Sequence, residues 1–187
     1  MSIKSLYGRF SVEGKIIGRL LAGYTDLELC VTLAVVHTSK DSFDSIIKRV
    51  YKRMGEQKRI ILITQLGIDG FKTLDLEAEF VEGIALFDYC RTIRNQYAHS
   101  VFWDDWGENF GFGNLEDIAR QALPLKSFNT LPRKPIDVPT LQLQEDYFEH
   151  VESYFLWLVN EGRRRSNLQY TSRLKPPTLP QPRLCSA

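Results

Sequence analysis

The sequence predicts an all-α fold, namely an up-and-down bundle of about five helices with an aromatic-rich irregular segment before the last helix. Two observations predict it. Apolar residues recur with the period of a helix over long stretches, and all eight prolines follow residue 123, so none interrupts a helix in the first two thirds of the chain. We expect one helical domain over residues 1–165. A flexible, Pro-containing tail is expected over 166–187, where Ser, Pro, Gln and Thr cannot build a core.

The first predicted helix runs from Val12 to about His37, because apolar residues recur there at helical spacing. These residues are Val12, Ile16, Leu20, Tyr24, Leu27, Val31 and Val35. Three glycines lower the helix propensity of this segment, but they would let another backbone approach closely. A second helix can be capped by Asp41 or Ser42 and is expected to end at Gly55.

The third and fourth helices are predicted from the middle of the chain. The apolar run 60–63 fits a short buried helix or a strand, and its period does not decide between them. We favour a helix that ends at Gly67, because no partner strand is visible nearby. The next helix can be capped by Thr73 or Asp75. Its expected buried face consists of Leu76, Phe80, Ile84 and Phe87.

The remaining segments are less regular. From Val101 to Gly113 aromatic residues alternate with Asp and Gly, which predicts a loop that packs over the core. Residues 115–140 contain several prolines and are expected to be irregular. A last helix is predicted from about Glu145 to Glu161, with Gly162 as its end.

Composition excludes several classes of function. The formal net charge of +1 argues against binding of polyanions by the whole molecule, so any contact with nucleic acid requires a local patch. The three cysteines lie far apart without metal-ligand spacing, which predicts no disulfide framework and no zinc site. Charges near the N-terminus and the lack of eighteen consecutive apolar residues argue against export and membrane insertion. We expect a cytoplasmic protein without metal or cofactor.

The segment 94–99, which reads RNQYAH, is the strongest candidate for a functional site. It places Arg94, Asn95 and His99 within one and a half turns of a helix. An arginine is a permanent planar cation suited to phosphate groups. An imidazole can transfer protons near neutral pH. The two other histidines of the chain lie in no comparable cluster, so His99 is the expected acid or base.

This segment resembles the R-x4-6-H motif of the HEPN superfamily, the higher eukaryote and prokaryote nucleotide-binding domains. The match includes a polar residue after the arginine, here Asn95, and a small residue before the histidine, here Ala98. The resemblance covers residues 94–99 in motif and about 12–160 in architecture. It implies a helical bundle that dimerises and, in many members, a metal-independent ribonuclease.

Helix geometry bears on how these residues act together. Arg94 and His99 are five residues apart, about 140° around an ideal helix, so one helix presents them poorly to a single phosphate. Two copies related by a dyad can combine Arg94 from one chain with His99 from the other, or line both pairs along one shared cleft. Asn95 and His99 share a face, so the Asn95 amide can orient the imidazole. Arg91 lies one turn back on nearly the same stripe.

The expected chemistry is transesterification of RNA to a 2′,3′-cyclic phosphate. His99 takes the proton of a 2′-hydroxyl or protonates the leaving 5′-oxygen. Arg94 binds the scissile phosphate and stabilises the charge that develops on its oxygens. Weaker candidates for contacts with substrate are Arg91, Tyr97, Asp26 and Glu28.

Each of these signals has a structural alternative. Arg94 and His99 can simply interact with the dipole at the end of a helix. The two acidic candidates can be solvated or paired with an arginine. Trp103 and Trp106 can stack on bases, although core packing is favoured. The main functional rival is a catalytically silent HEPN-like module for dimerisation, nucleotide binding or partner binding. Another is a toxin or defence component controlled by a separate antitoxin or regulatory chain.

Overall fold

The computed structural model describes residues 6, 8–39, 41–52, 55–104, 110–120, 133–166 and 175–185. This part of the chain forms six helices and three short strands. In chain order the elements are α1 (Ser11–Thr38), α2 (Phe43–Tyr51), α3 (Glu56–Lys72), α4 (Glu77–Ala98), β1 (Ser100–Asp104), β2 (Phe110–Asn114), α5 (Leu115–Arg120), β3 (Lys134–Pro135) and α6 (Val138–Ser166).

The chain divides into two compact units. The first unit takes its residues from the ranges 1–24, 90–148 and 180–187, and the second from 25–89 and 149–179. The long helices α1, α4 and α6 each supply residues to both units. The RNQYAH segment belongs to the first unit.

The buried side chains of α1 repeat at helical spacing, as predicted, from Ile16 to Val35. Val12 departs from the prediction, because 49% of its surface is exposed. A Cβ added at Gly18 or Gly23 would meet no described heavy atom within 4 Å. Among the described residues, no other backbone uses the close approach that these two glycines would permit.

Helix α1 is also long and apolar enough to cross a membrane, by length and composition alone. Its most apolar window of eighteen residues has a mean hydropathy of 1.4, and 44% of that window is buried inside the protein. A core helix of a soluble protein passes the same test, so this property is weak evidence for a membrane span.

Helix α2 begins where its cap was expected. The Ser42 hydroxyl oxygen accepts a hydrogen bond from the Ser45 N–H at 3.2 Å, which satisfies one of the unpaired donors of the first turn. Ile46 and Val50 are fully buried and form its apolar face. The helix ends at Tyr51, earlier than the glycine that we expected to end it.

Helix α3 confirms that the run 60–63 is helical. It continues past Gly67, the expected end, because this glycine packs directly against a buried ring. A Cβ at Gly67 would lie 2.2 Å from the Phe80 Cζ atom. Phe80 in turn stacks on Phe71, with ring centroids 4.6 Å apart. Tertiary packing here overrides the tendency of glycine to end a helix.

Helix α4 follows a tight turn at Asp75, whose φ of 55° lies in the left-handed region that aspartate tolerates better than most residues. Leu76, Phe80 and Phe87 are fully buried, as predicted, whereas Ile84 is half-buried. The buried stripe continues toward the end of α4 through Cys90, Ile93 and Tyr97.

The described residues of the segment 101–113, which are 101–104 and 110–113, lie in strands, which corrects the all-α prediction. Strands β1 and β2 form an antiparallel hairpin in which Phe102 pairs with Phe112, and β3 adds to the other edge of β2. Phe and Gly alternate in β2, a period of two that fits a strand. Gly111 allows the close approach of β3, since a Cβ there would lie 3.2 Å from the Lys134 carbonyl oxygen. The fold is therefore mainly helical with a small sheet.

Two helices replace parts of the segment that we expected to be irregular. Helix α5 follows β2 directly. Helix α6 begins at Val138 because Asp137 caps it, its carboxylate accepting a hydrogen bond from the Thr140 N–H at 2.8 Å. Pro139 fits the first turn, where its missing N–H is not needed. The helix also continues past Gly162, the expected end, to Ser166.

The tail that we expected to be flexible is hydrogen-bonded to other residues of the first unit near residue 185. Residues 175–185 have no regular secondary structure, but Pro182 and Cys185 are buried. The Cys185 N–H donates to the Gln96 side-chain oxygen at 3.0 Å. The Gln144 amide donates to the Arg183 carbonyl oxygen at 2.9 Å.

Candidate functional site

The RNQYAH segment occupies the last turn of α4 and the turn that follows. Arg94 and Asn95 lie on the helix, which ends at Ala98, so His99 lies just outside it. The His99 carbonyl oxygen accepts a hydrogen bond from the Leu115 N–H at 3.1 Å, which ties this turn to the start of α5. The imidazole itself is about half exposed.

Tyr24 and Asn95 both contact the side chain of Arg94. Its guanidinium lies over the ring of Tyr24, 4.5 Å from the centroid, and Tyr24 is almost fully buried. Its Nη1 atom donates to the Asn95 side-chain oxygen at 2.7 Å. Stacking engages the flat face of a guanidinium, whereas its N–H donors lie in the plane, so the two interactions together define the orientation of the group.

In the described structure the Asn95 side chain contacts Arg94 rather than His99. Its side-chain oxygen accepts from Arg94, and its carbonyl oxygen accepts from the Asn114 amide at 2.7 Å. Asn114 is buried and also accepts a hydrogen bond from the Glu116 N–H at 2.9 Å. Within the described structure, Asn95 therefore positions Arg94 and links α4 to the hairpin, and it does not orient His99.

The group that faces His99 is Glu116. The His99 Nε2 atom lies 3.9 Å from a Glu116 carboxylate oxygen, and both side chains are about half exposed. Glu116 also pairs with Arg120 one turn later, at 3.5 Å. Sequence reasoning missed Glu116, because the β1–β2 hairpin, which we did not predict, places it here.

Tyr97 is a core residue. Its side chain is 1% exposed, and its hydroxyl donates to the Gln144 side-chain oxygen at 2.6 Å and lies 3.3 Å from the Cys185 sulfur. Burial raises the pKa of the Tyr97 hydroxyl well above its usual range. Its contacts are therefore structural. Arg91, by contrast, is half-buried and lines a cavity of the first unit.

The two acidic candidates lie in the second unit. Glu28 is buried and accepts two hydrogen bonds from the Arg59 guanidinium, at 2.6 and 3.0 Å. These hydrogen bonds raise the pKa of Arg59. Glu28 is thus paired with an arginine, which is the structural role given above as the alternative to a contact with substrate. Asp26 is exposed.

Trp103 packs in the first unit as a core residue. It is 7% exposed and clusters with Ile118, with Val101 packed against them. The Arg133 guanidinium lies 5.1 Å from the centroid of its ring. Trp106, the other candidate for base stacking, lies outside the described residues.

Next to the motif, the first unit contains a cavity of about 280 Å³. Among its lining side chains are Arg91, Asn95, Gln96, Glu116, Arg120 and Lys134. We call it the basic cavity. Arg91 and Asn95 are one turn apart on the same face of α4, and this spacing is the one signal of the cavity that the sequence carries.

The described residues hold no cluster of three or more His, Cys, Asp or Glu side chains that could bind a metal ion. The three cysteines are free thiols. Burial raises the pKa of the Cys30 thiol to about 11, so that thiol is a poor nucleophile.

No protein-family model, curated protein or solved structure matches this chain. The functional assignment therefore rests on the chemistry of the site.

Proposed function

We propose that this protein is a metal-independent endoribonuclease of HEPN type that acts as a homodimer. One observation carries the proposal. Arg94 is oriented by a buried aromatic ring and an amide, while the exposed imidazole of His99 follows five residues later. Phosphodiester transesterification requires both an oriented cation and an accessible proton carrier.

The proposed reaction forms one bond to phosphorus and breaks another. The ribose 2′-oxygen attacks the adjacent phosphorus, and the bond between phosphorus and the 5′-oxygen breaks. The His99 imidazole accepts the proton of the 2′-hydroxyl, and water supplies the proton that the leaving 5′-oxygen takes up. The Arg94 guanidinium binds the non-bridging oxygens, on which charge accumulates. The products carry a 2′,3′-cyclic phosphate and a 5′-hydroxyl.

A dimer would complete this site. Arg94 and His99 are five residues apart, so one helix presents them poorly to a single phosphate. A twofold axis that brings the two segments together would allow Arg94 of one chain to act with His99 of the other. The free thiols fit a reducing cytoplasm, where we place the protein.

The second candidate function is a catalytically silent module of the same type, which binds nucleotides or a protein partner. This candidate is favoured because the Arg94 guanidinium stacks on Tyr24 and donates a hydrogen bond to Asn95. An arginine with a purely structural role makes the same kinds of contact. A separate antitoxin or regulatory chain is compatible with either function.

Cleavage of mixed RNA by the purified protein in the presence of a chelator tests the proposal. His99→Ala and Arg94→Ala are each expected to lower the rate by roughly a hundredfold or more, because each removes a group that acts in the transition state. The control variants His150→Ala and Arg49→Ala remove the same residue types in the second unit and are expected to remain active. A single 2′-deoxy nucleotide at the cut site is expected to block cleavage. Full activity of His99→Ala, or cleavage at the deoxy position, would overturn the mechanism.

A further inference from the structure

The basic cavity concentrates positive charge in a chain that has almost none overall. Arg91 comes from α4, Arg120 from α5 and Lys134 from β3, so three separate elements direct cations to one place. Among the described lining residues, Glu116 is the one carboxylate. The net charge of the whole protein is only +1. Convergent cations from distant parts of a chain are typical of a site for an anion.

The cavity also contains neutral hydrogen-bond donors. The Asn95 side-chain oxygen accepts from Arg94, which leaves its NH₂ group as the donor end of the amide. The Gln96 side-chain oxygen accepts from the Cys185 N–H, and its Nε2 atom is buried without a hydrogen-bond partner in the described structure. A buried donor without an acceptor is costly, so the Gln96 amide has a hydrogen-bonding capacity that the described structure does not use.

The size of the cavity limits the ligand. A volume of about 280 Å³ lies just below the usual range of ligand sites, which is about 300–1,000 Å³. It suits a phosphate group with an attached sugar. Cations together with amide donors are the usual partners of phosphate oxygens.

The cavity adjoins the candidate catalytic residues. Asn95 lines it and at the same time hydrogen-bonds Arg94. Arg91 precedes Arg94 by three residues, about 4.5 Å along the helix axis. We propose that the basic cavity binds the RNA phosphate adjacent to the scissile phosphate. The protein would then hold two successive phosphates of one strand. This inference rests on the proposed ribonuclease function.

Binding of a fully 2′-O-methylated RNA oligonucleotide, measured by fluorescence anisotropy over a series of salt concentrations, tests the inference without cleavage. Lys134→Gln and Arg91→Gln are each expected to weaken binding about tenfold at low salt. Each is also expected to reduce the slope of log K against log salt by about 0.7, the value for one phosphate contact on a single strand. Lys15→Gln, which removes an exposed lysine of the first unit outside the cavity lining, is expected to bind like the wild type.

A conservative variant and several contradicting results complete the binding test. Lys134→Arg is expected to restore binding, which separates loss of charge from damage to β3. Unchanged affinity and salt slope in Lys134→Gln and Arg91→Gln would overturn the inference, as would an equal loss in Lys15→Gln or no binding by any form. Saturable binding of inorganic phosphate without binding of the oligonucleotide would also overturn it, because the site would then serve a free phosphate compound.

The cleavage assay keeps the two proposals distinguishable. His99→Ala is expected to bind the methylated oligonucleotide like the wild type but not to cut unmodified RNA. A wild-type protein that binds RNA through Lys134 and Arg91 but never cuts it would overturn the ribonuclease and leave the cavity as an RNA-phosphate site.

Discussion

Arg94 illustrates how a single residue is prepared for binding. An exposed arginine loses side-chain entropy when it orders around a ligand, at a cost of about 0.5–1.5 kcal/mol. Stacking on Tyr24 and the hydrogen bond to Asn95 impose much of that order in the free protein. The guanidinium is thus preorganised for a planar, bidentate partner such as phosphate.

Substitution of Tyr24 tests this preorganisation. Tyr24→Phe keeps an aromatic face under the guanidinium and is expected to retain most of the RNA cleavage activity. Tyr24→Leu keeps an apolar side chain but removes the cation–π contact, worth about 0.5–2 kcal/mol, so activity is expected to fall about 2-fold to 30-fold. Steady-state cleavage rates measure both variants, with circular dichroism as the control for folding. An equal loss in the two variants would show that the ring face is not what matters.

At the scale of individual residues, only part of the candidate site could be predicted from the sequence. The spacing of Arg94, Asn95 and His99 is local, so a motif finds it. Tyr24 and Glu116 come from other elements, and their proximity depends on tertiary structure that periodicity does not encode. The core position of Tyr97 was predictable, because it continues the helical stripe of Cys90 and Ile93.

At the scale of elements, the contact between α3 and α4 depends on a glycine. Gly67→Ala is expected to destabilise the protein by roughly 1–3 kcal/mol, because the new Cβ would overlap the buried Phe80 ring, which also stacks on Phe71. Gly18→Ala is the matched control, since its Cβ would meet open space on an exposed helix face and is expected to stabilise by up to about 1 kcal/mol. Urea unfolding measures both, and a neutral Gly67→Ala would contradict the packing described.

The start of α6 gives a prediction about pH. Hydrogen bonds from Thr140 lower the pKa of the Asp137 carboxyl in the folded protein. Because the folded pKa lies below the unfolded one, this stabilisation is complete above the unfolded pKa and is lost as the pH falls through the folded pKa. Asn is an equally good cap that does not titrate. Asp137→Asn is therefore expected to match the wild type in urea unfolding at pH 7 and to lose less stability at pH 3. An identical loss in both proteins would exclude Asp137 as a contributor.

The elements themselves show where sequence patterns fail. The long helices were predicted because their apolar stripes persist over many turns. The hairpin was missed because Phe and Gly alternate over only four residues of β2, and β3 contributes two residues from twenty positions later. The early start of α6 was missed because Pro139 reads as a helix breaker unless the cap at Asp137 is recognised.

At the scale of the whole molecule, the functional candidates concentrate in the first unit. The RNQYAH segment, the hairpin and the basic cavity all lie there, whereas the Glu28–Arg59 pair lies in the second. Helices that supply residues to both units are predictable from periodicity. The division into units is not, because it depends on contacts between residues that are distant in the chain.

Mixing inactive variants tests whether the proposed active site is shared between two copies. Arg94→Ala and His99→Ala are each expected to form inactive dimers. If Arg94 of one chain acts with His99 of the other, a mixed dimer contains one site with both native residues and one site with neither. Random exchange of equal amounts makes half of the dimers mixed, so about a quarter of the wild-type activity is expected to return.

The dimer must exchange its subunits for this recovery to appear, so the two variants are unfolded together in urea and refolded before the RNA cleavage assay. Light scattering at micromolar concentration gives the mass of the refolded species. Separately refolded variants that are combined only at the moment of assay serve as the control and are expected to remain inactive. A strict monomer, or a refolded dimer without any recovery, would contradict the shared site, because an active site contained within one chain cannot be restored by a partner that lacks the complementary residue.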